Sequence, residues 1–158
     1  SGWQGGKYET NPTTGVATMF RTLIPWVFTY SWFAANMNTP DAYRSYSQAF
    51  RDYWGLQDAR DLYYQGQSWI EFNVGDTPGF KGDAHAALRS IKAKFLIIGA
   101  KEDLLFGRED LVAIKNDIPG SVYLEIEGPA GHAASSGNDP EANKIMAREI
   151  SSFLARLR

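Results

Sequence analysis

The chain has 158 residues, 44% of them hydrophobic and 22% charged, which is the make-up of one soluble globular domain with a core of ordinary size. Its formal net charge is −2 and its 16 Lys and Arg are dispersed, so there is no basic field for a phosphate backbone and nucleic acid is excluded as a partner. The absence of Cys removes disulfides, thiolate metal sites and cysteine nucleophiles together, and no apolar run is long enough to suggest a membrane span or a membrane partner.

Taken in chain order, Ser1-Gly2-Trp3-Gln4-Gly5-Gly6 resembles neither a signal nor a transit peptide, and a start at Ser rather than Met leads us to expect a processed or cleaved chain. From Gly15 to about Ala35 the pattern is apolar on nearly every side, with Pro25 set to kink a helix or end its first segment. Asn38-Thr39-Pro40-Asp41 is a helix start, with a capping Thr, Pro at the first helical position and an acid in the first turn. It leads into a helix from Ala42 to Trp54 that Gly55 ends. Asp58 to about Phe72 carries Leu62, Tyr63, Trp69 and Ile70 at helical spacing and closes in a Gly-rich loop from Gly75 to Gly82. The aromatic residues crowd between Trp26 and Trp54, as in the core of a helical layer or a subunit interface.

The second half alternates: Ala84 to Ile91 helical, Ala93 to Gly99 a strand, Arg108 to Asp117 helical, Val122 to Glu127 a strand, Pro140 to Arg158 helical. That order belongs to an α/β fold with a parallel sheet. The run Lys94-Phe95-Leu96-Ile97-Ile98-Gly99 reads as a strand covered on both faces, and the last helix sets Ile145, Ile150, Phe153 and Leu154 on one stripe. Two strands leave edges and faces that helices alone do not cover, so further strands are expected upstream of Ser1. No internal repeat accounts for the deficit.

In such folds ligands meet the loops at the carboxyl ends of the strands, and each strand here supplies one candidate there. The first is Asp103, in Ala100-Lys101-Glu102-Asp103-Leu104-Leu105-Phe106; the second is His132, in Gly128-Pro129-Ala130-Gly131-His132-Ala133. An Asp can fix the tautomer of a His and stabilise the imidazolium that forms when it takes a proton. Each residue also has an ordinary reading, Asp103 as the cap of the next helix or a turn residue and His132 as a loop histidine bonded to backbone. His85, in an Asp83-Ala84-His85-Ala86 helix start, has no partner motif and is read as structural.

These pieces together resemble the α/β-hydrolases and, within them, the homoserine O-acetyltransferase group. Trp3-Gln4-Gly5-Gly6-Lys7-Tyr8 with Pro12 and Gly15 is similar to the segment that leads into that group's lid. Ile91-Lys92-Ala93 followed by Asp103-Leu104-Leu105-Phe106 is similar to its acid loop, and Tyr123 to Glu127 followed by Gly131-His132 to its histidine loop. The resemblance implies a connection from a missing core at 1–14, a helical lid at 15–82, and at 83–158 the C-terminal part of an α/β-hydrolase fold, its last two parallel strands with flanking helices. It implies an acyl-transfer enzyme, an ester or thioester hydrolase or an O-acyltransferase, with a Ser-His-Asp triad in which Asp103 and His132 are catalytic. The lid's substrate-binding Arg and Tyr correspond to Arg21 and Tyr30, though their separation here is longer. Ala133 stands where the group has an Asp implicated in holding its amino acid substrate, which argues against homoserine.

No metal and no bound organic cofactor is implied, although a transferase would take acyl-CoA as co-substrate. The implied partners are an upstream chain or segment of the same enzyme, a small acyl ester or thioester, and a second copy through the lid. No Gly-x-Ser-x-Gly occurs, so the nucleophile and the oxyanion-hole amides are expected upstream of Ser1. A separate reading makes Ser1 itself a nucleophile with its own amine as base. A reading from another class makes the chain a lid and dimerisation module of a catalytically degenerate homologue.

Overall fold

A computed structural model describes residues 2–136 and 139–157. Ser1, the alternative nucleophile, and Arg158, the expected end of the last helix, lie outside them. The chain divides into two compact units, one comprising residues up to Pro25 and from Phe33 to Phe72, the other Trp26–Trp32 and Asn73 onward.

The first unit is helical. Helix α1 (Thr13–Val27) buries Val16, Phe20 and Ile24, spaced four apart on one face, together with Ala17. Pro25 lies inside α1 and the helix stops two residues later, before α2 (Tyr30–Asn36) begins. The proline has no N–H to donate to the preceding turn, so the helix is weakened just where it ends. Helix α3 (Pro40–Trp54) starts where its sequence signature places it, with Thr39 Oγ1 accepting from Ala42 N at 3.1 Å. It ends at Gly55, where a Cβ would stand 2.6 Å from the Arg51 carbonyl oxygen. Phe20 of α1 stacks on Trp54 with ring centroids 4.6 Å apart, and burial pushes the Tyr46 hydroxyl of α3 up to about 12.

Helix α4 (Ala59–Glu71) carries Trp69 and Ile70 at the expected spacing, but both are exposed. Its amino end anchors the opening segment of the chain. Tyr8 donates its hydroxyl to Asp58 Oδ1 at 2.5 Å, the Arg60 guanidinium lies 4.7 Å above the Tyr8 ring, and Asn11 bridges Gln57 O and Ala59 N. The Arg60 guanidinium first, and the Tyr8 hydroxyl next, hold the Asp58 carboxyl well below the usual carboxylate range.

The second unit contains α5 (Ala84–Arg89), β1 (Leu96–Ala100), α6 (Arg108–Asp117), β2 (Val122–Ile126) and α7 (Pro140–Ala155). The strands pair in parallel, in register from Leu96 opposite Val122 to Ala100 opposite Ile126. Backbone bonds extend the ladder at both ends, from Val122 N to Phe95 O and from Lys101 N to Ile126 O, each 2.9 Å. Gly99 leaves room for two side-chain ends: a Cβ there would lie 2.5 Å from Leu111 Cδ1 of α6 and 2.9 Å from the Tyr123 hydroxyl.

Two expectations are corrected. β1 begins at Leu96 rather than Ala93, and of its residues only Gly99 is buried, because among the described residues it has a single partner strand. On α7, Ile150 and Leu154 are 42% and 55% exposed and do not share an inward stripe with Ile145 and Phe153. The inward face runs through buried Ala142 and half-buried Met146 and Phe153; Ile150 and Leu154 each fall one residue beyond that line, about 100° round the helix.

Candidate active site

Asp103 lies in the turn that follows β1 and His132 in the 3₁₀ turn Gly131–Ser136 that follows β2. Because the strands are parallel neighbours, both loops leave the same end of the sheet, and the two side chains meet. His132 Nδ1 is 3.0 Å from Asp103 Oδ2. The other carboxylate oxygen, Oδ1, accepts from Leu105 N at 2.8 Å and Phe106 N at 3.0 Å. Asp103 thus shapes its own turn but does not cap the next helix, whose N-cap is Gly107 without a side-chain bond.

The carboxylate is 10% exposed and the imidazole 32%. An ionised carboxylate only accepts hydrogen bonds, so the shared proton is assigned to Nδ1, and in the neutral ring Nε2 is then a lone-pair acceptor. Among the described residues no group hydrogen-bonds Nε2. Phe106, from the same loop as Asp103, sets its ring 5.3 Å from the imidazole. Of the nearby charges, Lys101 pairs with Glu127 at 2.7 Å and Arg108 with Glu125 at 2.6 Å, while Asp103 is the acid bonded to His132.

The histidine loop depends on glycine. Gly131 has φ +55°, and a Cβ there would lie 3.0 Å from Val27 O, 3.2 Å from Glu102 O and 3.4 Å from Thr29 Cγ2. Both the left-handed backbone and the close approach of two other segments penalise a side chain. A cavity of about 220 Å³ adjoins the pair, bounded by Asp103, Phe106, His132, Leu111, Ile126 and Met146. A larger, open hollow of about 720 Å³ in the first unit is lined by Trp3, Val16, Met19, Leu62 and Tyr63 among others and has no charged lining group. Size alone therefore does not mark the site where a proton can move.

The two remaining sequence candidates lie on helices α1 and α2. Arg21 is exposed on α1 in the first unit and makes no hydrogen bond or ion pair among the described residues. Tyr30 opens α2 in the second unit and is 87% exposed. His85, read as lacking a partner, has one: its Nδ1 is 2.5 Å from Asp117 Oδ2, and Arg89 reaches the other oxygen of that carboxylate at 3.2 Å. The pair joins α5 to the end of α6 across 32 residues of sequence, a separation no local motif reveals. Of the residues beside the site, Phe106 stands in the acid loop the sequence singles out but has no role assigned there, and Thr29 escaped the sequence reading. The position of Thr29 just before a helix was the one available signal for it.

No family model matches the chain, and no curated protein matches it in sequence. Solved structures do match it in fold. An acetylester hydrolase from Corynebacterium glutamicum superposes with a TM-score of 0.72 at 24% identity, over 84% of this chain and 39% of its own. The acetyl esterase MekB superposes at 0.84 with 19% identity, over 98% of this chain and 46% of its own. A homoserine O-acetyltransferase from Bacillus anthracis gives 0.67 at 20% identity, over 84% and 40%. All have the α/β-hydrolase fold, and this chain has the part of it that comprises two parallel strands, their flanking helices and a helical layer. It spans less than half the length of each of these structures.

Proposed function

We propose that the chain supplies the base and the orienting acid of an acyl-transfer enzyme, the serine nucleophile and oxyanion-hole amides being supplied from outside it. The observation that carries this reading is the 3.0 Å contact between His132 Nδ1 and Asp103 Oδ2, on adjacent loops at the carboxyl ends of two parallel strands. His132 Nε2 takes the proton of the serine hydroxyl as its oxygen attacks the carbonyl carbon of an ester or thioester. The same nitrogen then gives the proton to the leaving alkoxide or thiolate. In the second half-reaction it activates water in a hydrolase, or an acceptor hydroxyl in a transferase that takes acyl-CoA as donor. Asp103, with both oxygens engaged, holds the ring and stabilises the imidazolium.

The substrate is a small acyl ester. Supporting this are the esterases whose folds match the chain and the neutral, buried Ala133 beside His132, which offers no charge to the ammonium of an amino acid acceptor. Arg21 and Tyr30 have the exposure a substrate contact needs. In the enzyme complete with its nucleophile-bearing part, His132→Ala removes nearly all turnover of a short-chain ester such as 4-nitrophenyl acetate. Survival of most of that turnover would sink the assignment.

A further inference from the structure

The segment Trp26–Trp32, made of the end of α1, the link Phe28–Thr29 and the start of α2, belongs to the compact unit that carries Asp103 and His132. Two contacts tie it there, and two more show what else the same hydroxyl holds. Thr29 Oγ1 is 2.6 Å from Pro129 O, three residues before His132. It also accepts from Trp32 N at 3.1 Å, which caps the first turn of α2, and lies 2.8 Å from Ser31 Oγ. Finally, Val27 O and Thr29 Cγ2 press against the space where Gly131 lacks a Cβ.

The hydroxyl inventory fixes the directions. Pro129 O can only accept and Trp32 N can only donate, so Thr29 gives its one hydrogen to Pro129 and receives from Trp32, and Ser31 is the donor to its second lone pair. One side chain therefore caps α2 and holds the histidine loop by its backbone. Beneath it Phe28 and Trp32, both buried, stack with centroids 3.7 Å apart, which gives the segment a rigid footing.

We propose that Thr29 is a positioning residue for His132: by holding the Pro129 carbonyl it sets the path of the loop and thereby the aim of Nε2. This rests on the catalytic reading of His132 given above. The rest of the loop is held by its own packing, with Ala130, Ala133 and Ala134 buried and Ala133 N bonded to Ala130 O at 3.0 Å, so the Thr29 bond at Pro129 fixes where that packed turn begins. Thr29 touches no reacting atom, so its removal changes how often the base is aligned and not how substrate is held.

The test uses Thr29→Ser, Thr29→Val and Thr29→Asp in the complete enzyme, with kcat and KM for a short-chain ester, the thermal midpoint, and His132→Ala as reference. Serine keeps the donor and the cap, aspartate keeps only the cap, and valine keeps neither. The expected result is near-normal kcat for Thr29→Ser and a fall of about tenfold in kcat, with KM little changed, for Thr29→Val and Thr29→Asp, the size of one lost hydrogen bond. Should Thr29→Val not fold, the comparison of Ser with Asp decides. Wild-type kcat in Thr29→Asp, or a loss confined to the thermal midpoint, would overturn the proposal while leaving the catalytic reading intact. Full activity in His132→Ala would remove the catalytic reading itself.

Discussion

Gly131→Ala probes the backbone under the candidate base. At φ +55° a residue with a Cβ gives up about 1–2 kcal/mol to the left-handed conformation. Its methyl would also stand 3.0 Å and 3.2 Å from two carbonyl oxygens on separate segments, and relieving that crowding by a few tenths of an ångström adds on the order of 1 kcal/mol. The total, about 2–3 kcal/mol, corresponds to a fall in thermal midpoint of roughly 5–10 °C for a body of this size. Relief of a few tenths of an ångström, shared between the loop that bears His132 and the segments facing it, is well short of the ~1 Å shift that costs about 10²-fold, so kcat should drop by about tenfold. Gly5→Ala is the internal control: its φ is +63° but nothing lies within 4 Å of its Cβ position, so it pays the backbone cost alone and spares turnover. Equal midpoint losses in the two variants, with turnover intact in both, would refute the idea that close approach governs this loop.

Two further outcomes follow from the packing and charges. Gly99→Ala sets a methyl 2.5 Å from Leu111 Cδ1 and 2.9 Å from the Tyr123 hydroxyl, the far ends of two side chains that can turn aside; it should cost about 1 kcal/mol in urea denaturation, and a loss above about 3 kcal/mol would contradict that. Tyr8→Phe removes a donor that helps keep the Asp58 carboxyl ionised. A carboxyl whose folded value is depressed contributes stability that is present above its unfolded value and lost as pH falls toward the folded one. The wild-type advantage over Tyr8→Phe, measured by urea midpoints, should therefore be full near pH ~7 and shrink below about pH 4. An advantage that stays constant or grows on acidification would contradict it.

Local signals were legible in the sequence and tertiary ones were not. The Thr39-Pro40-Asp41 start placed α3, because capping is a matter of neighbouring residues. Asp103 and His132 could be picked out because a parallel strand delivers its next loop to a known end of the sheet, and the structure does bring these two together. The separation of Trp26–Trp32 from the rest of the helical layer could not be read, since it rests on contacts such as Thr29 with Pro129, 100 residues apart. The stripe on α7 went wrong for a related reason: apolar residues at helical spacing give a helix but not which of two adjacent faces is covered. Arg21 and Tyr30 came from resemblance alone, and both are exposed.

The most direct measurement is a double-mutant cycle on Asp103→Asn and His132→Ala in the complete enzyme, read as kcat/KM on a short-chain ester. If the acid acts only through the base, Asp103→Asn alone should cost about 10⁴-fold, and adding it to His132→Ala should cost almost nothing further. Losses that multiply, or an Asp103→Asn enzyme that turns over at the wild-type rate, would show that the pair does not work as one unit.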